Sequence, residues 1–127
     1  MTSGRGVWDR LDQIPSFSPA DNVHMHLLAG ETLAVNLVRM GPNSVVPVHA
    51  HDNEQAGYIV RGLLIMTIDG ETRDLTPGDT YIAMPDVPHG ATSGPDGCDV
   101  IDIFCPPRQD YLDLAARARA ESTSQNL

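Results

Sequence analysis

The chain has 127 residues, with 17 acidic against 8 basic side chains, a formal net charge of −9 and a pI near 4.7. That length suits one domain able to bury its own core. The acidic balance argues against a phosphate backbone or an anionic membrane surface as partner, because both are recognised by clustered Lys and Arg. No apolar run approaches the roughly 20 residues that cross a bilayer, and the first ten residues lack the apolar centre of a secretory signal, so a cytoplasmic protein is expected.

Alternating or β-branched segments recur at residues 23–28, 32–40, 58–68, 80–84 and 100–104, which predicts short strands. Turn formers fill the gaps at residues 29–31, 41–43, 69–71, 76–79 and 93–97. This spacing predicts an all-β sandwich or barrel. Asp69-Gly70 is the clearest hairpin signal, since both residues tolerate the positive φ of a tight primed turn. Cys98 and Cys105 stand seven apart on one predicted strand, so they point to opposite faces and stay reduced. Trp8, Val38, Leu64 and Met66 read as core or dimer-contact residues.

Past Pro106-Pro107 the period changes. Tyr111, Leu112, Leu114 and Ala115 give an apolar face to a helix over about 108–121, with Asp110 and Asp113 early and Arg117 and Arg119 late. Asp113 and Arg117 are spaced to pair, and residues 122–127 read as a frayed end. The whole chain, 1–127, is expected to form one domain with its core over about 20–107.

His49 and His51 stand two apart at the end of a strand-like stretch, which puts both imidazoles on one face. Gln55, four residues on, can return a side-chain oxygen to the same point from a hairpin or loop. His89 lies in a segment whose backbone is stiffened by Pro85 and Pro88, as a preformed ligand site requires. Glu54 is the harder, charged alternative to Gln55. His24 and His26 share another strand face, either one a possible fifth ligand or proton shuttle.

The run His49-x-His51, Gln55, Gly62, then Gly78, Met84 and His89 resembles both motifs of the cupin superfamily in order. Gln55 stands where Glu is usual, Met84 where Pro is, Asn43 and Asp86 where Gly is, and Ser93 where Asn is. The resemblance implies a single-domain double-stranded β-helix, a jelly-roll barrel, to which the apolar period past Pro107 adds a short C-terminal helix. It also implies one divalent metal on His49, His51, Gln55 and His89; zinc, nickel, cobalt, iron and manganese all suit three imidazoles and an amide.

The stretches 51–58 and 101–111 further resemble the pectin-degradation cupins of the KdgF type, with similarity over roughly residues 20–112. Members of that family open 4,5-unsaturated monouronates to a linear keto sugar acid, using a metal with an acid and an arginine nearby. Carried over, Asp102 is the general acid or base, Phe104 a pocket wall and Arg108 a clamp for a substrate carboxylate. Alternation agrees, since Val100, Asp102 and Phe104 share a strand face and a carboxyl among apolar neighbours has a raised pKa. Asp102 as a buried partner of Arg108 or as part of a strand of reversed facing, and Arg108 as a surface ion pair, are the plain readings of the same residues.

The expected function is that of a metal-dependent, isomerase- or lyase-like enzyme on a small oxygen-rich molecule. His24 and His26 are carried as possible substrate contacts, and a homodimer is expected because a small barrel leaves sheet edges to cover. Three other functions fit the same residues: a polyketide-type cyclase, a metal-dependent dioxygenase and a non-catalytic metabolite-binding module.

Overall fold

Period-two patterning becomes antiparallel strands in the computed structural model, which describes residues 4–125. In chain order they are β1 (Phe17–Ala20), β2 (Val23–Ala29), β3 (Ala34–Met40), β4 (Val45–His49), β5 (Glu54–Ile68), β6 (Glu71–Leu75), β7 (Thr80–Ala83) and β8 (His89–Cys105). One helix, α1 (Gln109–Gln125), follows and packs on β1 and β2.

The strands lie in the order β1-β2-β3-β8-β5-β6, with β4 on β8 and β7 on β5. β8 takes β4 as its partner near its start and β3 near its end, while β5 runs beside it throughout. A strand with different partners at its two ends curls the sheet into facing walls, and this makes the expected barrel.

Its interior is chosen by alternation. Val100, Asp102 and Phe104 are buried, whereas Ile103 between them is 40% exposed. On β2 and β3 the inward rows are Val23, Met25, Leu27 and Ala34, Asn36, Val38, Met40. Ile59 and Phe104 are among the most deeply buried side chains, each contributing about 1.5–3 kcal/mol relative to exposure.

The structure departs from the expectations at several points. Residues 93–97 do not break the chain; they lie within β8. Ser93 pairs with Leu64 and Cys98 with Gly62, so residues 94–97 bulge opposite Leu63 alone. Gly62 at φ +78° and Gly97 at φ +79° supply the backbone this needs, and a Cβ on Gly62 would lie 2.1 Å from the Gly97 carbonyl. Turn-forming residues here mark a bulge where the strand changes partner.

β5 starts at Glu54, ahead of the predicted 58, so Gln55 is a strand residue and not a loop residue. α1 continues to Gln125, beyond the predicted 121; residues 126 and 127 lie outside the described part. Asp113 accepts from Gln109 Nε2 at 2.9 Å in place of the expected Arg117, and Arg119 donates to the Leu27 carbonyl at 3.4 Å. Trp8 is 95% exposed and belongs to no core, because the segment around it pairs with no strand. The Asp69-Gly70 hairpin forms with φ of +50° and +81°, and Cys98 is buried and Cys105 exposed, both free.

Candidate metal centre

Three elements deliver the histidines. His49 ends β4, His51 lies in the following loop and His89 opens β8 directly opposite His49. The Asp86 backbone N–H donates to the His51 carbonyl at 2.8 Å and ties the two loops together. Asp86 has φ +66° and Asn43 φ +53°, so both departures from the cupin glycines occupy the left-handed region, which Asn and Asp tolerate best after Gly. Ser93, where Asn is usual, accepts from the Ser44 N–H at 2.8 Å and donates to the Gly41 carbonyl at 2.6 Å.

One ring nitrogen from each histidine lies within 4.8 Å of the others. Each ring donates Nδ1–H to a backbone carbonyl two residues away: His49 to Pro47 at 2.8 Å, His51 to Asn53 at 3.0 Å and His89 to Val87 at 2.9 Å. Those bonds fix the tautomer that leaves Nε2 bare. Gln55 Oε1 stands 3.1 Å from His51 Nε2 and 3.2 Å from His89 Nε2.

Neutral imidazole nitrogens and a carbonyl oxygen are all acceptors, so nothing in the protein satisfies them all. Protonation is opposed as well, because burial and, more weakly, neighbouring positive charge hold the pKa of His51 and of His89 below the ordinary value. A converging set of bare acceptors fits a divalent cation. Gln55 is buried and turned to this point, whereas Glu54 is exposed.

Behind Gln55 lies a second group. Its Nε2 donates to Tyr81 Oη at 2.7 Å and, at 3.4 Å, to Asp102 Oδ2, while the Tyr81 hydroxyl donates to Asp102 Oδ1 at 2.8 Å. Burial raises the Asp102 carboxyl to about 7, against the opposing pull of the Tyr81 hydrogen bond and the Arg108 charge. Burial, followed by the adjacent Asp102 charge, also pushes the Tyr81 phenol well up.

Gln55, Tyr81 and Asp102 line one solvent-open cavity with His49, His89, Arg108 and Phe104. The Arg108 guanidinium lies 3.8 Å from the Tyr111 ring centroid and 5.8 Å from that of Phe104, and its Nη2 meets Asp110 at 2.8 Å. Both plain and functional features are therefore present in Arg108: an ion pair on one edge and a place in the cavity wall. Val38, Leu64 and Met66, read from the sequence as core, line the cavity too.

His24 and His26 are not brought to the site. Met25 between them faces the cavity, so alternation turns both imidazoles outward; His24 is exposed, and His26 is covered by the N-terminal segment, its Nδ1 2.6 Å from the Ile14 carbonyl. Two inward polar residues escaped the sequence reading. Tyr81 sits on a short strand that looks like ordinary core, and Asn36, paired in register with Asp102, is fully buried with neither amide atom hydrogen-bonded.

Residues 36–104 match the family model described as "Cupin domain". The pectin degradation protein KdgF of Dickeya dadantii (strain 3937) is 30% identical over 103 residues, covering 80% of this chain and 94% of that protein. An H2HPP isomerase of Bacillus subtilis is 43% identical over 69 residues, 54% of this chain but 29% of the isomerase. Among solved structures, KdgF from Halomonas sp. superposes with a TM-score of 0.78 at 27% identity, covering 84% of this chain and 99% of that one.

Proposed function

The chain belongs to the cupin family, and we propose that it is a metal-dependent isomerase that opens the ring of an unsaturated uronate or a similar sugar acid. The observation that carries this reading is the placement of a buried carboxyl, Asp102, in one cavity with Arg108 and with His49 and His89 of the three-histidine centre. The similarity to two relatives named for pectin degradation and for isomerisation supports the reaction class.

His49, His51, His89 and Gln55 hold the ion, whose chemistry, when bound, is to polarise an oxygen of the substrate. Arg108 offers the part of its guanidinium not engaged by Asp110 to the substrate carboxylate, and its place over the Tyr111 ring together with the two bonds to Asp110 holds it there. Phe104 forms the apolar wall. Asp102 takes the proton of the anomeric hydroxyl as the bond from C1 to the ring oxygen breaks. The resulting C4–C5 enol becomes a ketone when a proton is returned to C4. Nothing is lost or added, so a single carboxyl that titrates near neutrality can both accept and return the proton.

A panel of unsaturated uronates, offered to protein reconstituted with each of the five metals, tests this by NMR. Appearance of a linear keto acid without oxygen consumption is expected. Turnover that requires oxygen would identify a dioxygenase, and binding without turnover under every metal would identify a metabolite-binding module. Arg108→Lys keeps the charge but loses the planar two-point contact, so KM for the uronate should rise with kcat little changed. An unaltered KM would remove the carboxylate from the substrate.

We also infer a homodimer in the cytoplasm. Tyr58, Val60, Ile82 and Ile103 are exposed on the outer face of adjoining strands β5, β7 and β8, with Ile82 and Ile103 both opposite Ala56. An apolar sheet face of this kind suits a second copy of the chain. The free thiols agree with a reducing compartment. No helix among the described residues is long and apolar enough to cross a membrane.

A further inference from the structure

We propose that Tyr81 is a positioning residue for the metal centre: anchored on Asp102, its phenol selects the orientation of the Gln55 amide that presents oxygen, and not nitrogen, to the three histidines. The inference rests on the reading of His49, His51, His89 and Gln55 as metal ligands.

A glutamine at a ligand position carries a difficulty that a glutamate does not. The two ends of a carboxylate are equivalent, so either oxygen can face the ion. An amide has one acceptor end and one donor end of nearly equal size, and only the acceptor end can ligate. A rotation of half a turn about the last side-chain bond therefore switches the ligand off without altering the packing. Something fixed must recognise the donor end.

The hydrogen bonds around Gln55 run in one direction. When ionised, as the proton-accepting role requires, Asp102 can only accept, so the Tyr81 hydroxyl, 2.8 Å away, spends its single proton there. The phenol oxygen is then left as an acceptor, and at 2.7 Å it takes an N–H of Gln55. Asp102 Oδ2, at 3.4 Å from the same nitrogen, reinforces the choice. With nitrogen held on that side, Oε1 faces His51 and His89. Turned over, the amide would put its oxygen against two acceptors and its N–H groups toward bare imidazole nitrogens.

Gly57 supplies a second, independent observation. It lies opposite Asp102 on one side and Tyr81 on the other, between the two groups that must touch. A Cβ there would fall 2.0 Å from Tyr81 Cε2 and 2.8 Å from Asp102 Oδ1. Its φ lies outside the left-handed region, so backbone freedom is not the reason for glycine. The missing side chain is what lets the phenol reach the carboxylate.

The test is a cycle of variants read by cobalt(II) affinity, using calorimetry and the d–d absorption of the bound ion on the full-length protein. Tyr81→Phe should weaken cobalt binding about 10- to 100-fold, the range typical of partners that orient a metal ligand. In a Gln55→Glu background the same Tyr81→Phe change should cost less than about twofold, because a carboxylate needs no orienting donor. Gly57→Ala should reproduce the Tyr81→Phe loss in the wild-type background while the metal-free protein keeps a cooperative melt. Equal losses in both backgrounds would make Tyr81 a packing residue and overturn the proposal. No loss in the wild-type background would overturn it as well. Wild-type protein that binds no cobalt would overturn the metal centre itself, and the positioning role with it.

Discussion

The molecule contains two His-x-His pairs, His24-Met25-His26 and His49-Ala50-His51, with opposite fates. The first lies wholly within β2, where Met25 claims the inner face and both imidazoles are sent outside. The second straddles a strand end, with His49 closing β4 and His51 free of the sheet, so the rings converge to centroids 5.3 Å apart. The anchoring differs too. Each histidine of the centre donates to a carbonyl two residues along its own chain, whereas His26 is fixed by Ile14, twelve residues away. Spacing brings two imidazoles to one face, but the neighbour between them and the point where the strand stops decide which face it is.

Deleting each pair of imidazoles should separate their roles. His49→Ala with His89→Ala should abolish stoichiometric metal and leave a folded barrel, since an imidazole and an amide are too few donors. His24→Ala with His26→Ala should leave metal content unchanged and cost about 1–3 kcal/mol of stability through the lost buried bond to Ile14. Elemental analysis and thermal melts read both. Metal lost from the second variant would return His24 or His26 to the site.

The same contrast bears on what could be read from the sequence. His49, His51, Gln55 and His89 were legible because motif spacing encodes the ends of β4, β5 and β8, and the facing of Asp102 followed from alternation. Tyr81 was not, since its meaning depends on Gly57 leaving room between two strands. Residues 93–97 misled because glycine and proline serve a bulge as well as a turn, and whether a strand resumes afterwards depends on its partner. The length of α1 was underestimated because its last residues have no apolar period to announce them.

A second comparison lies within one register pair on the inner face, where Asp102 has partners and Asn36 has none. For Asp102 the folded pKa of about 7 exceeds the ordinary 3.8, so between those values the native state holds the proton that the unfolded chain has released. Stability due to this group therefore falls as pH rises from about 4 to 7 and stays low above. Asp102→Asn removes that dependence. In metal-free protein it should exceed the wild type in stability above pH 7 by up to about 4 kcal/mol, with the difference vanishing below pH 4. Denaturant melts across this range measure it, and a difference independent of pH would show that the carboxyl is not desolvated.

His51 and His89 act with the opposite sign. Their lowered pKa makes the metal-free protein lose stability as pH falls through about 6.5, in wild type and variant alike, so the difference between the two isolates Asp102.

A smaller effect is expected at Asn36. An unpaired buried amide costs about 1–3 kcal/mol, so Asn36→Leu, close in shape, should stabilise the protein by about that amount. A fall in the melting midpoint would show that the amide is satisfied in solution.

Three Nε2 atoms and Gln55 Oε1 converge on one point in space. Anomalous diffraction at the cobalt edge from crystals of cobalt-loaded protein locates the ion directly. The expected result is one peak per chain, bonded at about 2.0–2.2 Å to Nε2 of His49, His51 and His89 and to Oε1 of Gln55. A peak on Glu54, on the outward His24 and His26, or nowhere in the barrel would contradict it.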